Sequence, residues 1–182
     1  MKGLTTFVFA VLIVVFMPNL FFGKAEAARV AVVPIQIDDT KVMRFSDFSN
    51  YYWDVMIDQF RYPDYELLDD EIVEGVVPEG GLKSFDQITL QDICNRTDAE
   101  IVIAMRLDEV RKKPDRSNRG PRMKFYMKGE FVGYNRLTGQ CYNKKVNCSG
   151  SMEMALTYRN DWQKDTFVSS LKRCLKKVVI KK

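Results

Sequence analysis

Histidine is absent from this chain of 182 residues. Without an imidazole, the sequence excludes Ser-His-Asp and Cys-His nucleophile activation and zinc sites of the HExxH type. The cysteines show no CxxC spacing, which argues against a structural zinc site or a thioredoxin-type redox pair. The alternating ligands of a calcium loop are also missing. We therefore expect no metal, no cofactor and no histidine-based catalysis.

Carboxylate chemistry is the main catalytic alternative that remains, because paired Asp or Glu side chains suffice for glycoside cleavage. The dense acidic cluster consists of Asp69, Asp70, Glu71 and Glu74. Its spacing is more typical of a solvated loop or a helix start than of a catalytic site. An enzyme that uses carboxylate, Lys or Cys chemistry, or a small-ligand carrier, stays the alternative to a binding protein. Such an enzyme would need a concave pocket lined by convergent polar groups.

Long apolar runs are scarce, and the one of note lies at the start of the chain. Lys2 precedes an unbroken apolar run from Phe7 to Met17, and Ala25-Glu26-Ala27 offers the small residues that a signal peptidase reads. The run is much shorter than the roughly 20 residues that span a bilayer as a helix, so we expect cleavage near Ala27 rather than an uncleaved anchor. The sequence thus predicts a signal peptide over residues 1–27 and an exported, periplasmic or secreted protein over residues 28–182.

Internal repeats and low-complexity tracts are missing, so residues 28–182 are expected to form one globular domain. Their charge is uneven: residues 28–110 contain 7 Lys or Arg against 18 Asp or Glu, whereas residues 111–182 contain 19 against 5. One explanation is that the two halves pack together with mixed surface charge. The other is a basic face for an anionic partner.

The spacing of apolar residues predicts eight elements in the order β-α-β-α-β-β-β-α. In chain order they are Val30–Ile37, a helix capped by Ser46 that ends before Pro63, Tyr65–Leu68, a helix capped by Thr89 with Asp92 that runs through Arg96, Glu100–Val110, Met123–Tyr134, Gln140–Thr157 and a closing helix capped by Asn160 or Asp161. The turn residues Arg136 to Gly139 join the last two strands into a long hairpin. We expect an α/β (α+β) fold with a single mixed β-sheet and helices that cover mainly one face.

The chain resembles a group of exported domains. The segments that carry the resemblance are Arg29-Val30-Ala31-Val32-Val33-Pro34, the amphipathic helix after it, Tyr65 to Leu68, Thr97 to Ile103 and the Leu137-Thr138-Gly139-Gln140 turn. They are similar to the α/β domain in the amino-terminal part of TolB and in the CsgG and LpoB envelope proteins. This chain has no lipobox cysteine, propeller or pore-forming segment. The resemblance implies binding or assembly at the cell envelope without a catalytic site.

A cluster of basic residues is the first candidate for partner binding. Pro114, Gly120 and Pro121 interrupt it, which predicts an exposed loop. Its members are Arg111, Lys112, Lys113, Arg116, Arg119, Arg122 and Lys124. The loop is either a solvated connection or a contact for an envelope protein, an anionic envelope polymer or anionic lipid head groups. Export and the lack of a recognition motif argue against nucleic acid.

Aromatic residues and the closing helix are further candidates. Tyr51, Tyr52 and Trp53 are consecutive, so a helix cannot turn all three toward one core, and at least one should be partly exposed. Tyr51 and Trp53 are therefore candidate partner contacts, with chance exposure as the alternative. The basic residues of the closing helix either complement its dipole or contact an anionic membrane peripherally.

The four cysteines permit disulfides in three connectivities, because an exported protein meets oxidising conditions. They are Cys94, Cys141, Cys148 and Cys174. If Cys141 and Cys148 lie on one continuous strand, steps of about 3.3 Å per residue separate them beyond bridging distance. Disulfides and buried thiols are the two alternatives, and the pairing and the oligomeric state stay open at this point.

Overall fold

The computed structural model describes residues 27–38, 40–42, 48–117, 120–153 and 161–179. The predicted leader up to residue 26 lies outside these ranges, as do the predicted caps Ser46 and Asn160. In the described part of the chain, no helix is long and apolar enough to cross a membrane.

Within the described ranges, a mixed sheet of six strands forms the centre of the structure. The strands are β1 (Ala28–Val32), β2 (Gln36–Ile37), β3 (Tyr65–Leu67), β4 (Ile101–Ser117), β5 (Gly120–Asn135) and β6 (Gln140–Glu153). Their order is β3-β1-β4-β5-β6, and β2 pairs with β4 outside this path. Strand β1 runs parallel to β3 and β4, whereas β4, β5 and β6 are antiparallel. The expected single mixed sheet is confirmed.

One predicted strand is divided in two. The apolar run from Val30 to Ile37 contains both β1 and β2, and Pro34 lies in the gap between them. Proline has no N–H to donate to a neighbouring strand, so the ladder is interrupted there. The predicted hairpin of β5 and β6 is confirmed, with residues 136–139 as its turn.

Four helices accompany the sheet in the described ranges, one more than predicted. They are α1 (Phe48–Gln59), α2 (Asp70–Glu74), α3 (Gln87–Thr97) and α4 (Asp161–Val178). The additional helix, α2, contains Asp70, Glu71 and Glu74 of the acidic cluster, and Asp69 directly precedes it. The predicted cap of α3 is wrong, because the Asp86 carboxylate accepts a hydrogen bond from the Thr89 N–H at 2.8 Å and so caps the helix three residues earlier.

The helices lie on both faces of the sheet, so the expectation that they cover mainly one face is wrong: both faces of the first strands are apolar, and each needs a covering layer. On one face, the two longer helices α1 and α4 bury Phe48 and Phe167 against Ile103. On the other face, the shorter helices α2 and α3 lie over a second apolar cluster, in which Leu90 of α3 packs with Val102 of β4. Adjacent residues of β4 pack into different apolar clusters because side chains alternate between the two faces along a strand. The sheet is therefore an inner layer with a helix layer on each side.

Candidate functional site

The basic segment from Arg111 to Lys124 is not a loop, and that prediction is wrong. It forms the end of β4 and the beginning of β5, whose register pairs Arg111 with Tyr126 and Lys113 with Lys124. Pro114 lies within β4. Beyond Val110, β4 has no strand on its other side in the described chain, and a sheet edge tolerates a proline. The basic residues within the described ranges therefore lie on paired strands.

Four of the seven predicted basic residues share one face of the sheet. Directly paired residues project from the same face, and side chains alternate along each strand. By this register, Arg106, Glu109, Asp115 and Glu130 also lie on this face, and six further cations form what we call the basic face: Arg111, Lys113, Arg122, Lys124, Lys128 and Lys145. Sequence reasoning missed Lys128 and Lys145. The period-two spacing of Lys124, Tyr126 and Lys128 within the predicted strand was the signal that could have found Lys128.

The remaining three predicted basic residues do not join this face. Lys112 pairs with the buried Phe125 on the opposite face, and burial lowers the pKa of its ammonium group. Arg116 pairs with Pro121 in the ladder, but its side chain lies outside the described part of the structure. Arg119 lies outside the described residues altogether.

A polar boundary separates the basic face from the apolar core beneath α3. The guanidinium of Arg106 lies 4.9 Å from the centre of the Phe85 ring, and one of its nitrogen atoms lies 3.2 Å from a Glu130 carboxylate oxygen. The Asn143 side-chain amide donates to the Phe85 carbonyl at 2.8 Å and to the Glu130 carboxylate at 2.9 Å. The apolar cluster on this side reaches Ala104 but includes none of the six cations of the basic face.

Two carboxylates position three of the six cations. Glu109 lies 3.1 Å from Arg111 Nε and 3.3 Å from Lys128 Nζ, and Asp115 lies 3.1 Å from Lys124 Nζ. The Arg111 guanidinium also lies 5.4 Å from the centre of the Tyr126 ring. Ion pairs of this exposure contribute little stability and are screened by salt. They order the cations while the face keeps an excess of positive charge.

Tyr51 and Trp53 lie away from the basic face, on α1. Tyr52, between them, is the fully buried aromatic residue, and its hydroxyl donates to the Val33 carbonyl at 3.2 Å. Tyr51 and Trp53 are half-buried, in keeping with the expected partial exposure. The Tyr51 ring contacts the Lys164 Nζ of α4 at 5.0 Å. The two groups of predicted contact residues therefore do not form one site.

Trp53 faces a groove beside β3, at the edge of the sheet opposite β6. The groove has a volume of about 680 Å³ and is lined by Trp53, Ile57, Leu67, Leu68, Asp69, Asp70 and Glu71. It combines an apolar wall with part of the acidic cluster, whose carboxylates are exposed around the start of α2. Within the described residues, no group of three or more Cys, Asp or Glu side chains could hold a metal ion.

No family model and no curated protein sequence matches this chain. Several solved structures are similar to it. A hypothetical protein from Chlamydia trachomatis has 10% identity and a TM-score of 0.45, with 84% of this chain and 93% of that chain covered. Lipoprotein GNA1162 from Neisseria meningitidis has 12% identity and a TM-score of 0.40, with 82% and 99% covered. The LpoB C-terminal domain from Salmonella enterica has 10% identity and a TM-score of 0.35, with 75% and 91% covered. At these values the similarity supports no inference about function.

Proposed function

We propose that this protein is a non-catalytic, exported binding and assembly accessory domain of the bacterial cell envelope. Its basic face would contact an anionic partner, either an envelope protein with an acidic surface or an anionic envelope polymer. The observation that supports this proposal is the collection of six cations on one sheet face, outside the apolar cluster. The resemblance to exported envelope domains supports the compartment.

The geometry of the basic face suits an extended anion. Residues on one face of a strand are spaced by about 6.6 Å, and neighbouring strands lie about 4.8 Å apart. Cations in such an array can contact several phosphate or carboxylate groups at once, and Arg111 and Arg122 can form bidentate contacts. Paired strands also hold the cations in place before binding, so less conformational entropy is lost than with a flexible loop.

The distribution of charge over the sheet agrees with this proposal. The acidic groove lies beside β3 at one edge of the sheet, and the basic face lies on the last three strands at the other side. The acidic and basic halves of the chain do meet at α1 and α4, where Lys172 Nζ lies 2.8 Å from an Asp58 oxygen. Ion pairs of Glu109 with Arg111 and Lys128, and of Asp98 and Glu100 with Arg136, also join the two halves. The cations of the basic face outside these pairs stay available to a partner.

A matched pair of charge variants tests the proposal. The first variant combines Arg111→Gln, Lys113→Gln, Arg122→Gln and Lys124→Gln. The control removes the same charge from exposed residues elsewhere: Lys83→Gln, Arg173→Gln, Lys176→Gln and Lys177→Gln. Each is cross-linked in the envelope fraction of its own cells and recovered with its bound material.

We expect the wild type and the control to recover one specific protein or polymer, and the basic-face variant to lose it. The interaction of the wild type should weaken as salt is raised, because salt screens exposed charges. Full recovery by the basic-face variant would contradict the proposal. Loss by the control alone would favour a peripheral contact of α4 with an anionic membrane.

A further inference from the structure

The four cysteines divide between the two faces of the sheet. All four are thiols in this structure. Cys94 and Cys141 pack with the apolar cluster beneath α3, whereas Cys148 and Cys174 pack with the cluster beneath α4. Cys141 and Cys148 both lie on β6, an odd number of positions apart, so their side chains project from opposite faces.

This division removes two of the three disulfide connectivities. A disulfide joins Cα atoms that are less than about 7 Å apart, and the main chain of the sheet separates sulfur atoms on opposite faces. A Cys141–Cys148 bond would in addition have to span roughly 23 Å of extended strand. The connectivity that keeps each bond on one face pairs Cys94 with Cys141 and Cys148 with Cys174.

Cys148 and Cys174 share a direct neighbour. The Cys148 Sγ lies 3.0 Å from the Ser170 Oγ. Ser170 and Cys174 are four residues apart on α4, so their Cβ atoms lie on one side of the helix, about 5–6 Å apart. A rotation of the Cys148 side chain away from Ser170 would be the movement that brings its sulfur toward Cys174. We propose that Cys148 and Cys174 form a disulfide that ties α4 to β6 when the protein is oxidised.

The two sulfur atoms have different roles in this reaction. Cys148 is half-buried, whereas Cys174 is 1% exposed. The Cys148 thiolate attacks a small disulfide oxidant such as oxidised glutathione, which forms a mixed disulfide and releases one thiolate. The Cys174 thiolate then attacks the Cys148 Sγ and expels the second thiolate. Two electrons pass to the oxidant, and the two protein thiols lose their protons.

The environment of Cys174 affects the second step. Burial raises the pKa of the Cys174 thiol, whereas the nearby charge of Lys144 opposes this rise. Lys144 lies on β6 and pairs with Phe131, which places it on the face that α4 covers. A thiolate at Cys174 therefore forms near the Lys144 cation, which lies on β6 together with Cys148.

Peptide mapping of the full protein tests the pairing directly. The protein is incubated with oxidised glutathione, its remaining thiols are alkylated, and trypsin separates all four cysteines because a Lys or Arg lies between each pair. We expect a cross-linked product of residues 146–159 and 174–176, which contain Cys148 and Cys174. Alkylation of both residues after oxidation, or a bond from either to another cysteine, would overturn the proposal.

Thermal unfolding gives a second readout. The bond would close a loop that runs from residue 148 to residue 174. We expect oxidation to raise the midpoint of the wild type by on the order of 10 °C. The Cys141→Ser control should keep this shift, whereas Cys148→Ser and Cys174→Ser should each lose it. A wild-type midpoint that does not respond to oxidation would contradict the proposal.

Discussion

Strand β4 passes through two different environments. From Ile101 to Met105, every residue is at most 1% exposed, because helices cover both faces and β1 and β5 lie on either side. From Glu109 to Asp115, Val110 is the one fully buried residue. One end of the strand is thus part of the core, and the other end carries charges on a face that the core does not reach. A single strand can be buried at one end and exposed at the other when its pattern of apolar and charged side chains changes along its length.

A β-bulge between Leu107 and Glu109 marks the change. One additional residue on the bulged strand shifts the alternation of side chains by one position. Arg111 and Lys113 therefore project from the face opposite to Ile103, although an unbroken strand would place all three on the same face. The bulge is what brings these cations onto the basic face.

The turn after β2 forms hydrogen bonds with β4 before and after the bulge. The Asp38 N–H donates to the Leu107 carbonyl at 3.1 Å, and the Val110 N–H donates to the Lys41 carbonyl at 3.1 Å. Gly129 of β5 stands opposite Leu107. Two segments that are distant from β4 in the sequence, the turn after β2 and strand β5, therefore determine where β4 changes from core to surface.

The largest predicted difference between the two ends of β4 concerns stability. Ile103→Ala removes a side chain that is fully buried, and we expect it to lower the free energy of unfolding by about 2–5 kcal/mol. Lys113→Gln changes an exposed residue, and we expect an effect within about 0.5 kcal/mol. Urea unfolding measures both. Similar losses in the two variants would show that the charged end belongs to the core after all.

The bulge itself can be disturbed at Gly129. A Cβ atom at this position would lie 2.2 Å from the Arg106 carbonyl oxygen, so the backbone beside the bulge would have to move. We expect Gly129→Ala to destabilise the protein by roughly 1–3 kcal/mol. Gly75→Ala is the control, because its Cβ would lie 3.2 Å from the nearest atom, the Glu71 carbonyl oxygen. Equal thermal midpoints for the two variants would mean that the bulge adapts freely.

The smallest predicted effect is a pH dependence at the turn beside the bulge. Hydrogen bonds from Thr40 and then Lys41 lower the pKa of Asp38 to about 2. A lowered pKa in the folded state adds stability above the unfolded value of about 3.9, and this stability is lost as the pH falls toward the folded value. The wild type should therefore exceed Asp38→Asn in unfolding free energy at about pH 6. This gap should close between about pH 4 and pH 2, and a gap that stays constant would contradict the assignment.

Local patterns predicted most of the fold. The spacing of Phe48, Tyr52 and Val55 placed α1, and the turn residues from Arg136 to Gly139 placed the β5–β6 hairpin. Each depends on contacts between residues that are close in the sequence or on a repeated face. The same local reasoning failed between Arg111 and Lys124, because Pro114 and the density of charge resemble a loop until the strands pair.

The candidate site was predicted by residue type but not by arrangement. Sequence reasoning identified Arg111, Lys113, Arg122 and Lys124 as basic contact residues, and the structure places them together on one face. The sequence-based prediction also included Lys112, which lies on the other face of the sheet. The alternation along β4 depends on the bulge, and the bulge depends on hydrogen bonds with β5 and with the turn after β2, which are distant in the sequence.

The amino-acid sequence by itself determined the mixed α/β composition, the absence of imidazole chemistry and the excess of cations after residue 110. Those properties depend on residue identity and local spacing. The tertiary structure alone decided which cations lie on the same face of the sheet and which cysteines pack in the same apolar cluster. It also placed the acidic groove and the basic face on different parts of the sheet. Strand register and helix packing arise from hydrogen bonds and apolar contacts between distant segments, and neither leaves a local mark in the sequence.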